Sequence, residues 1–480
     1  MENHKIKMAA PDTMTIGHIL SALTNKPATG ANIPVASVVI DSRQVQAGSL
    51  FIAFRGERVD GHDFVRDAFA NGAIAAIVER PIPGDHLTID TRTDTLPETI
   101  TPPICLIVED SLTALQTLAK AWRAQFPHVR VVGITGSVGK TSTKELVYSV
   151  LAYKYNTLKS EGNQNNEIGL PLTLLKLRPH HQYAVLEMGM YARGEIALLC
   201  DIARPHIGVV TLIGPVHLER LKTMEAIVAA KQELVEALPA DGIAILNRDD
   251  ERVMNMATAT KARVFTYGLS DMADLWADNI RSMGLQGVRF TLHYGKESLS
   301  VQVPLLGRHS VHTALRATAV GLATGLSWEE IVAGLRHHVA QLRLVSVPGP
   351  NNSIIIDDTY NASPDSVMAA LNLLQDLPGR RIAVLGDMLE LGQVEESAHR
   401  LVGRRVADIA HILITVGPRS RLIYEEALAV GMSPDRAHWV EDAPEAVPLL
   451  EEMIQPEDII LIKGSWGMRM DRIVTALGRG

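Results

Sequence analysis

At 480 residues the chain is too long for one hydrophobic core, and its length suggests about three domains. Its composition, 46% hydrophobic and 21% charged, is ordinary for a soluble globular protein, and a net charge of −8 lacks the basic surplus of a nucleic-acid binder. The two cysteines, Cys105 and Cys200, lie in the apolar strings PICLIV and IALLCDIA, as core residues of a reducing compartment do, rather than a disulfide or metal pair. The opening string MENHKIKMAAPDT has no apolar run long enough for a signal peptide, and no run of ~18 uncharged apolar residues suggests a membrane span. A cytoplasmic protein is expected, with nothing to suggest more than a monomer.

Residues 14 to about 108 read as a small α/β unit. Ile16, Ile19, Leu20 and Leu23 have helical spacing, VASVVIDS (35–42) and AIAAIVER (73–80) read as strands, and residues 81–103 read as a polar, proline-rich loop before the strand ICLIVED. Ser42 and Arg43, at a strand end, fit two readings. A guanidinium fork matches phosphate oxygens, while a surface turn holding an ion pair needs the same residues. Ser111 is placed to cap a helix running to about Phe126.

The string VRVVGITGSVGKTS (129–142) follows. A β-branched run reads as a buried parallel strand, breaks at Gly136-Ser137-Val138-Gly139-Lys140-Thr141-Ser142, and passes into a helix with Leu146, Val147 and Val150 on one face. Strand, glycine turn, Lys-Thr and helix start are the context in which backbone N–H groups cradle phosphates. In that reading Lys140 reaches the outer phosphates and the Thr141 hydroxyl holds Mg²⁺. The first glycine of G-x-x-x-x-G-K-S/T is replaced by Ile134, so the loop is G-x-x-G-K-T and does not fit every nucleotide-hydrolase family.

Residues 157–171 are dense in Asn and Gly, and long enough for a binding loop. YAVLEMG (183–189) is a strand ending in Glu187, placed either as a ligand for the Mg²⁺ of bound ATP or as a solvated carboxylate. HIGVVTLIG (206–214) leads to His217, which taken alone reads as a loop histidine. In the helix AIVAAKQELVEAL (226–238), Lys231 projects from the apolar face among Ile227, Val228, Leu234 and Val235. Periodicity favours a stem packed on that face with its ammonium reaching water.

Residues 264–304 alternate apolar and polar, as in an antiparallel excursion, and an apolar helix runs from Leu305 through Ala323. A final α/β unit opens with SIIIDD (353–358) and a helix capped at Ser363-Pro364, followed by strands at 381–388, 411–417 and 458–465. The alternation is Rossmann-like, with sites expected at the C-terminal strand ends.

The strings DSRQVQAGSLFIAFRG, TGSVGKTSTKE, EGNQNNEIGLPLTL, EMGM, AAKQE, DDTYNASPDSVMAAL, GDMLELG and KGSWGMRM together resemble the Mur ligase family over nearly the whole chain. The resemblance implies an α/β protein of three domains. These are a small N-terminal UDP-sugar-binding domain (1–108), a central P-loop-type ATP-binding domain on a mostly parallel sheet (109–342), and a C-terminal Rossmann-like ligase domain (343–480). DDTYNASP, KGSWGMRM and the DSR segment point to the member that joins D-alanyl-D-alanine to a UDP-MurNAc-tripeptide. Such an enzyme uses ATP to turn a carboxylate into an acyl phosphate, which the dipeptide amine attacks.

Carried over, Gly136 to Ser142 resemble the ATP loop, and Lys140 would neutralise the transferring γ-phosphoryl. Thr141 and Glu187 would hold one Mg²⁺ and His217 a second. Lys231 matches a lysine carbamylated in the family, which makes it an anionic oxygen ligand. Ser42 and Arg43 fall where the family binds the UDP part, Asn165 and Asn166 match its substrate-facing loop, and Asp357, Asp358, Tyr360 and Asn361 resemble the segment lining the site from the third domain. One departure is local. The family's G-x-H-N-x-x-N, with an Asn near adenine, is here Gly307-Arg308-His309-Ser310-Val311-His312-Thr313, with both Asn replaced by hydroxyl residues. The alternatives are a ligase adding the third peptide residue, folylpolyglutamate synthase, or a nucleotide-driven switch that ligates nothing. DDTYNASP argues against the first two.

Overall fold

The computed structural model describes residues 11–478 apart from 29–30, 57–58, 94–95, 216–217 and 338–344. The chain divides into two compact units. One comprises Met1–Gly133, Tyr155–Met190 and Gly194–His206; the other comprises Ile134–Lys154, Tyr191–Arg193 and Ile207–Gly480.

The first unit contains strands β1 (Ser37–Val39), β2 (Ser49–Ile52), β3 (Ala75–Val78), β4 (Leu87–Asp90) and β5 (Ile104–Ile107) in the order β1-β2-β3-β5-β4. All neighbours are parallel. The middle strands β2, β3 and β5 are wholly buried, as apolar runs in a covered parallel sheet are, and Phe51, Val65, Ala76, Cys105 and Ile107 pack in one cluster. Strand β4 lies inside the stretch expected to be a loop; it is a half-exposed edge strand, which carries little apolar signal. The helix Ser111–Ala124 buries Ala114, Leu115, Leu118 and Trp122, spaced three and four apart. Its cap is Asp110, not Ser111: the Asp110 carboxylate accepts from the Thr113 N–H at 2.6 Å.

Strand β6 (Arg130–Thr135) passes from one unit into the other. In the first unit the Asn-rich stretch is partly ordered into β7 (Thr157–Lys159) and the helix Gly169–Leu174, and β7 pairs in parallel with the fully buried β8 (Tyr183–Glu187).

In the second unit, β9 (Ile207–Val210), β10 (Ile243–Asn247), β11 (Arg263–Gly268) and β12 (Leu275–Ser282) pair in parallel, and β13 (Val288–Tyr294) and β14 (Glu297–Val303) add antiparallel hairpins. The antiparallel excursion thus starts at β13, two strands later than the alternation suggests, because RVFTYG joins β10 in parallel and β12 joins β11 in parallel. The apolar helix begins at Ser310 rather than Leu305.

The remaining sheet has the order β15-β16-β20-β17-β18-β19, built from β15 (Val345–Pro348), β16 (Ile354–Asp358), β17 (Arg381–Gly386), β18 (Ile412–Val416), β19 (Ala437–Val440) and β20 (Ile459–Lys463). Only β15 is antiparallel. Successive residues serve opposite faces: Ile356, Ala383, Leu385 and Leu461 join one apolar cluster, while Ile355, Ile382, Val384, Ile460 and Ile462 join another. Both faces are therefore covered, as a Rossmann-like sheet requires. The edge strand β19 is an addition to the strands read from sequence; three of its four residues are half-buried. Among the described residues no helix is long and apolar enough to cross a membrane.

Candidate active site

The glycine turn is built in the second unit against the chain that follows β9. The Thr211 N–H donates to the Thr135 carbonyl at 3.0 Å, and the Thr211 hydroxyl donates to the Val138 carbonyl at 2.7 Å. Ser137 is held twice by Gly214, its hydroxyl donating to the Gly214 carbonyl at 3.0 Å and accepting from the Gly214 N–H at 2.9 Å. Gly136 has φ +144°, and a Cβ there would stand 1.8 Å from the Thr211 hydroxyl, so only glycine fits. Gly139, at φ +83°, starts the helix Lys140–Ala152 without a capping side chain, which directs the first-turn N–H groups and the positive helix end toward an incoming anion.

Two lysines meet behind this turn. Lys140 Nζ donates to the Gly136 carbonyl at 3.0 Å and lies 3.4 Å from the Ser137 carbonyl. Lys231, on the helix Met224–Glu236, is 1% exposed and donates to the same Gly136 carbonyl at 2.9 Å. Its ammonium does not reach water along its stem; it points into the loop. Burial, and then the charge of Lys140, hold its pKa well below the ordinary lysine value. Thr141 is buried in the helix's first turn, and Ser142 follows it half-buried.

The segment after β16 belongs to the same unit. A Cβ on Gly214 would lie 3.0 Å from the Asp365 carboxylate, so the start of the helix Pro364–Asp376 stands beside the residue that pins Ser137. Asp358 pairs with the buried Lys463 at 2.7 Å, and Lys463 also donates to the Asn361 carbonyl at 2.7 Å. Asp357 accepts from the Thr359 N–H and hydroxyl at 3.1 and 2.8 Å, and the Tyr360 ring lies 5.8 Å from that of Trp466. Asp357 is thus engaged in shaping its own turn, while Asp358 and the Asn361 carbonyl are tied to Lys463 on β20.

In the first unit Glu187 is 1% exposed and accepts from the Asn165 side-chain amide at 2.9 Å. The Asn166 side-chain oxygen accepts from the Gly169 N–H at 2.9 Å and starts the next helix. Arg43 is paired with Asp41, Nη2 to Oδ2 at 2.7 Å, and this holds the Asp41 pKa down at about 2. Asp41, not singled out from sequence, therefore governs where the Arg43 fork points, while Ser42 opens the short helical turn Ser42–Gln44. His217 lies outside the described residues.

Sequence reasoning passed over Arg316, a charged residue in the apolar helix Ser310–Ala323, because three- and four-residue spacing marks that face as core. It is buried and lies against Gly139. Of the two hydroxyls replacing Asn, Ser310 donates to the Gly307 carbonyl at 2.6 Å and Thr313 accepts from Arg316 at 3.1 Å.

Three family descriptions match in succession: Mur ligase family, catalytic domain, over residues 34–122; Mur ligase middle domain over 134–321; and Mur ligase, glutamate ligase domain, over 342–466. The chain is 36% identical to the UDP-N-acetylmuramoyl-tripeptide–D-alanyl-D-alanine ligase of Synechocystis sp., covering 93% of this chain and 92% of the relative. It is similar to a crystal structure of MurF from Acinetobacter baumannii, with TM-score 0.84 and 31% identity over 98% of this chain and all of that one. MurF ligase from Thermotoga maritima, solved in complex with ADP, matches with TM-score 0.74 and 27% identity over 92% of this chain and 96% of that one. With the glycine turn, its two lysines and three consecutive domain matches in agreement, this chain belongs to the Mur ligase family.

Proposed function

We propose that the chain is a UDP-N-acetylmuramoyl-tripeptide–D-alanyl-D-alanine ligase, forming an amide at the expense of ATP in peptidoglycan precursor synthesis. The observation that carries the reading is the meeting of Lys140 and Lys231 on the Gly136 carbonyl, inside a turn shaped for phosphate. The extended likeness to D-alanyl-D-alanine ligases supports the acceptor. Residues 1–108 would hold the UDP-sugar, with Ser42 and Arg43 toward its phosphates, 109–342 the ATP, and 343–480 would present the dipeptide near Asp357, Asp358, Tyr360 and Asn361.

A free carboxylate is a poor acyl donor, so the tripeptide's terminal carboxylate oxygen first takes the γ-phosphoryl group, releasing ADP. The dipeptide amine then attacks the acyl carbon, and the tetrahedral intermediate expels phosphate. The protein supplies position and charge. The N–H groups of Gly136 to Ser142 hold the phosphates, and Lys140 leaves the Gly136 carbonyl to neutralise the transferring group. Asn165 and Asn166 line the substrate.

A metal requirement fits the donors present. Among the described residues no three His, Cys, Asp or Glu side chains form a ready-made metal cage, but Glu187 is a buried carboxylate and Thr141 a buried hydroxyl, the hard oxygen donors Mg²⁺ takes. With Thr141, Glu187, His217 and Lys231 as its ligands, as the family resemblance implies, Mg²⁺ would screen phosphate charge. Lys231 joins such a set as a carbamate. Its neutral amine adds to carbon dioxide, an N–C bond forms, a proton leaves to solvent, and the amine facing Lys140 becomes an anionic carbamate. Burial favours the neutral amine this step needs.

The test is ADP release with UDP-MurNAc-tripeptide and D-alanyl-D-alanine, compared with diaminopimelate, lysine or glutamate as acceptors. Stimulation by the dipeptide is expected. Stimulation by a single amino acid instead would move the chain to another ligase of the family, and hydrolysis independent of any acceptor would make it a nucleotide switch.

A further inference from the structure

We propose that Arg316 is a positioning residue for the nucleotide's polyphosphate, a second cation set against the glycine turn beside Lys140. The inference rests on the ATP reading above and adds to it a residue outside the turn itself.

Arg316 is 4% exposed, yet no carboxylate among the described residues is paired with it. Nε donates to the His312 carbonyl at 2.9 Å and Nη2 to the Thr313 hydroxyl at 3.1 Å, both on its own helix, while Nη1 is buried with no acceptor. The Tyr267 ring, 5.9 Å from Cζ, offers a π face but no charge. A buried cation with one donor unmatched is costly unless an anion completes it. The direction in which that anion would lie is set by the packing: a Cβ on Gly139 would stand 3.3 Å from Nη1 and 3.5 Å from Nη2. Gly139 is therefore glycine for two reasons, its left-handed φ and the close approach of a guanidinium. Gly139 is also the residue from which the helix Lys140–Ala152 starts, so the fixed charge of Arg316 and the positive helix end act at one point. Burial lowers the Arg316 pKa from its ordinary value without removing its proton, since arginine titrates far above neutrality. In a dry setting such a charge acts through Gly139 more strongly than it would at the surface.

This role separates phosphate recognition from recognition of the base. Thr313, where the family's pattern has an Asn, accepts from Arg316, so its hydroxyl is tied to the group assigned here to the phosphates.

The test is calorimetric titration of the full chain and of Arg316→Met, which keeps volume and removes charge, with ATP, ADP and adenosine. Arg316→Met is expected to bind ATP and ADP at least tenfold more weakly while adenosine affinity and the KM for UDP-MurNAc-tripeptide stay unchanged. Arg316→Lys should recover part of the loss. Equal losses for ADP and adenosine would make Arg316 a structural or base-contacting residue and overturn the inference, as would unchanged ATP binding in the folded variant. If thermal melting shows Arg316→Met unfolded, Arg316→Gln carries the same comparison with the same expected selectivity. Absence of ATP binding to the wild-type chain would overturn the ligase reading itself, which keeps the two failures distinct.

Discussion

Lys140 and Lys231 donate to one acceptor, the Gly136 carbonyl, at 3.0 and 2.9 Å. Two ammonium groups sharing a single neutral oxygen repel each other by a few kcal/mol at an effective dielectric of about 20. The conflict is resolved at the more buried partner: Lys231 is 1% exposed, and its protonated form is disfavoured by burial first and by Lys140 second. The loop thus holds one lysine poised as a cation for phosphate and another poised as an amine.

Lys231→Ala is accordingly expected to abolish most ligase activity, with partial rescue by added short carboxylates that restore an anionic oxygen. Rates of ADP release with and without acetate or formate check this. Turnover at the wild-type level in Lys231→Ala would remove the residue from the chemistry.

Gly136→Ala tests the turn. The added Cβ collides with the Thr211 hydroxyl, and φ +144° is strained for any other residue. The strain costs about 1–3 kcal/mol, so ATP affinity should fall at least tenfold while much of the fold survives. Trimming the obstacle with Thr211→Ala in the same chain should not restore binding fully, because the φ penalty remains and the bond to the Val138 carbonyl is lost. Titration of ATP into both variants decides the point.

The Asp358–Lys463 pair, 2.7 Å apart with side chains 10% and 2% exposed, is expected to behave as a buried ion pair. Asp358→Ala strands the lysine and should destabilise by about 3–5 kcal/mol, whereas Asp358→Leu combined with Lys463→Met should recover much of that loss. Denaturant melts of the single and double variants measure both. A single variant as stable as wild type would show that the pair is dispensable to the fold.

His399 gives a pH signature. It is fully buried, its Nε2 accepts from the Met388 N–H at 3.1 Å, and its Nδ1 faces the Glu395 carbonyl at 2.7 Å, an arrangement that suits the neutral ring with hydrogen on Nδ1. Burial lowers its pKa from 6.5. In the window below that value the unfolded chain binds more protons, so stability is fully present above pH ~6.5 and is lost as pH falls through the folded pKa. His399→Gln should flatten the slope of the melting temperature between pH ~7 and ~5. An unchanged slope would assign the acid sensitivity to other groups.

Much of this was legible in the residues. Strand, glycine turn and helix at 130–152 follow from β-branched residues meeting Gly136 and Gly139, and the two faces of the last sheet follow from alternation in IIID and RIAVLG. Strands β4 and β19 were not, because edge strands bury one side and need little apolar pattern. The Asn stretch hid β7 and a helix for a related reason, since its loop chemistry dominates the composition. At the site, Lys231 read as an oddity whose spacing suggested an ammonium reaching water; the acceptor that draws it inward lies 95 residues away in sequence. Arg316 was hidden by the opposite effect, a charge inside a spacing that otherwise marks core. Such contacts are set by tertiary packing, which local pattern does not encode.

The central claim is tested most directly by the mass of the product formed on incubation with ATP, Mg²⁺, UDP-MurNAc-tripeptide and D-alanyl-D-alanine. The expected product is the tripeptide nucleotide extended by the dipeptide through one amide, with one ADP and one phosphate released for each product. ADP released at the same rate without the dipeptide, and no extended nucleotide, would contradict it.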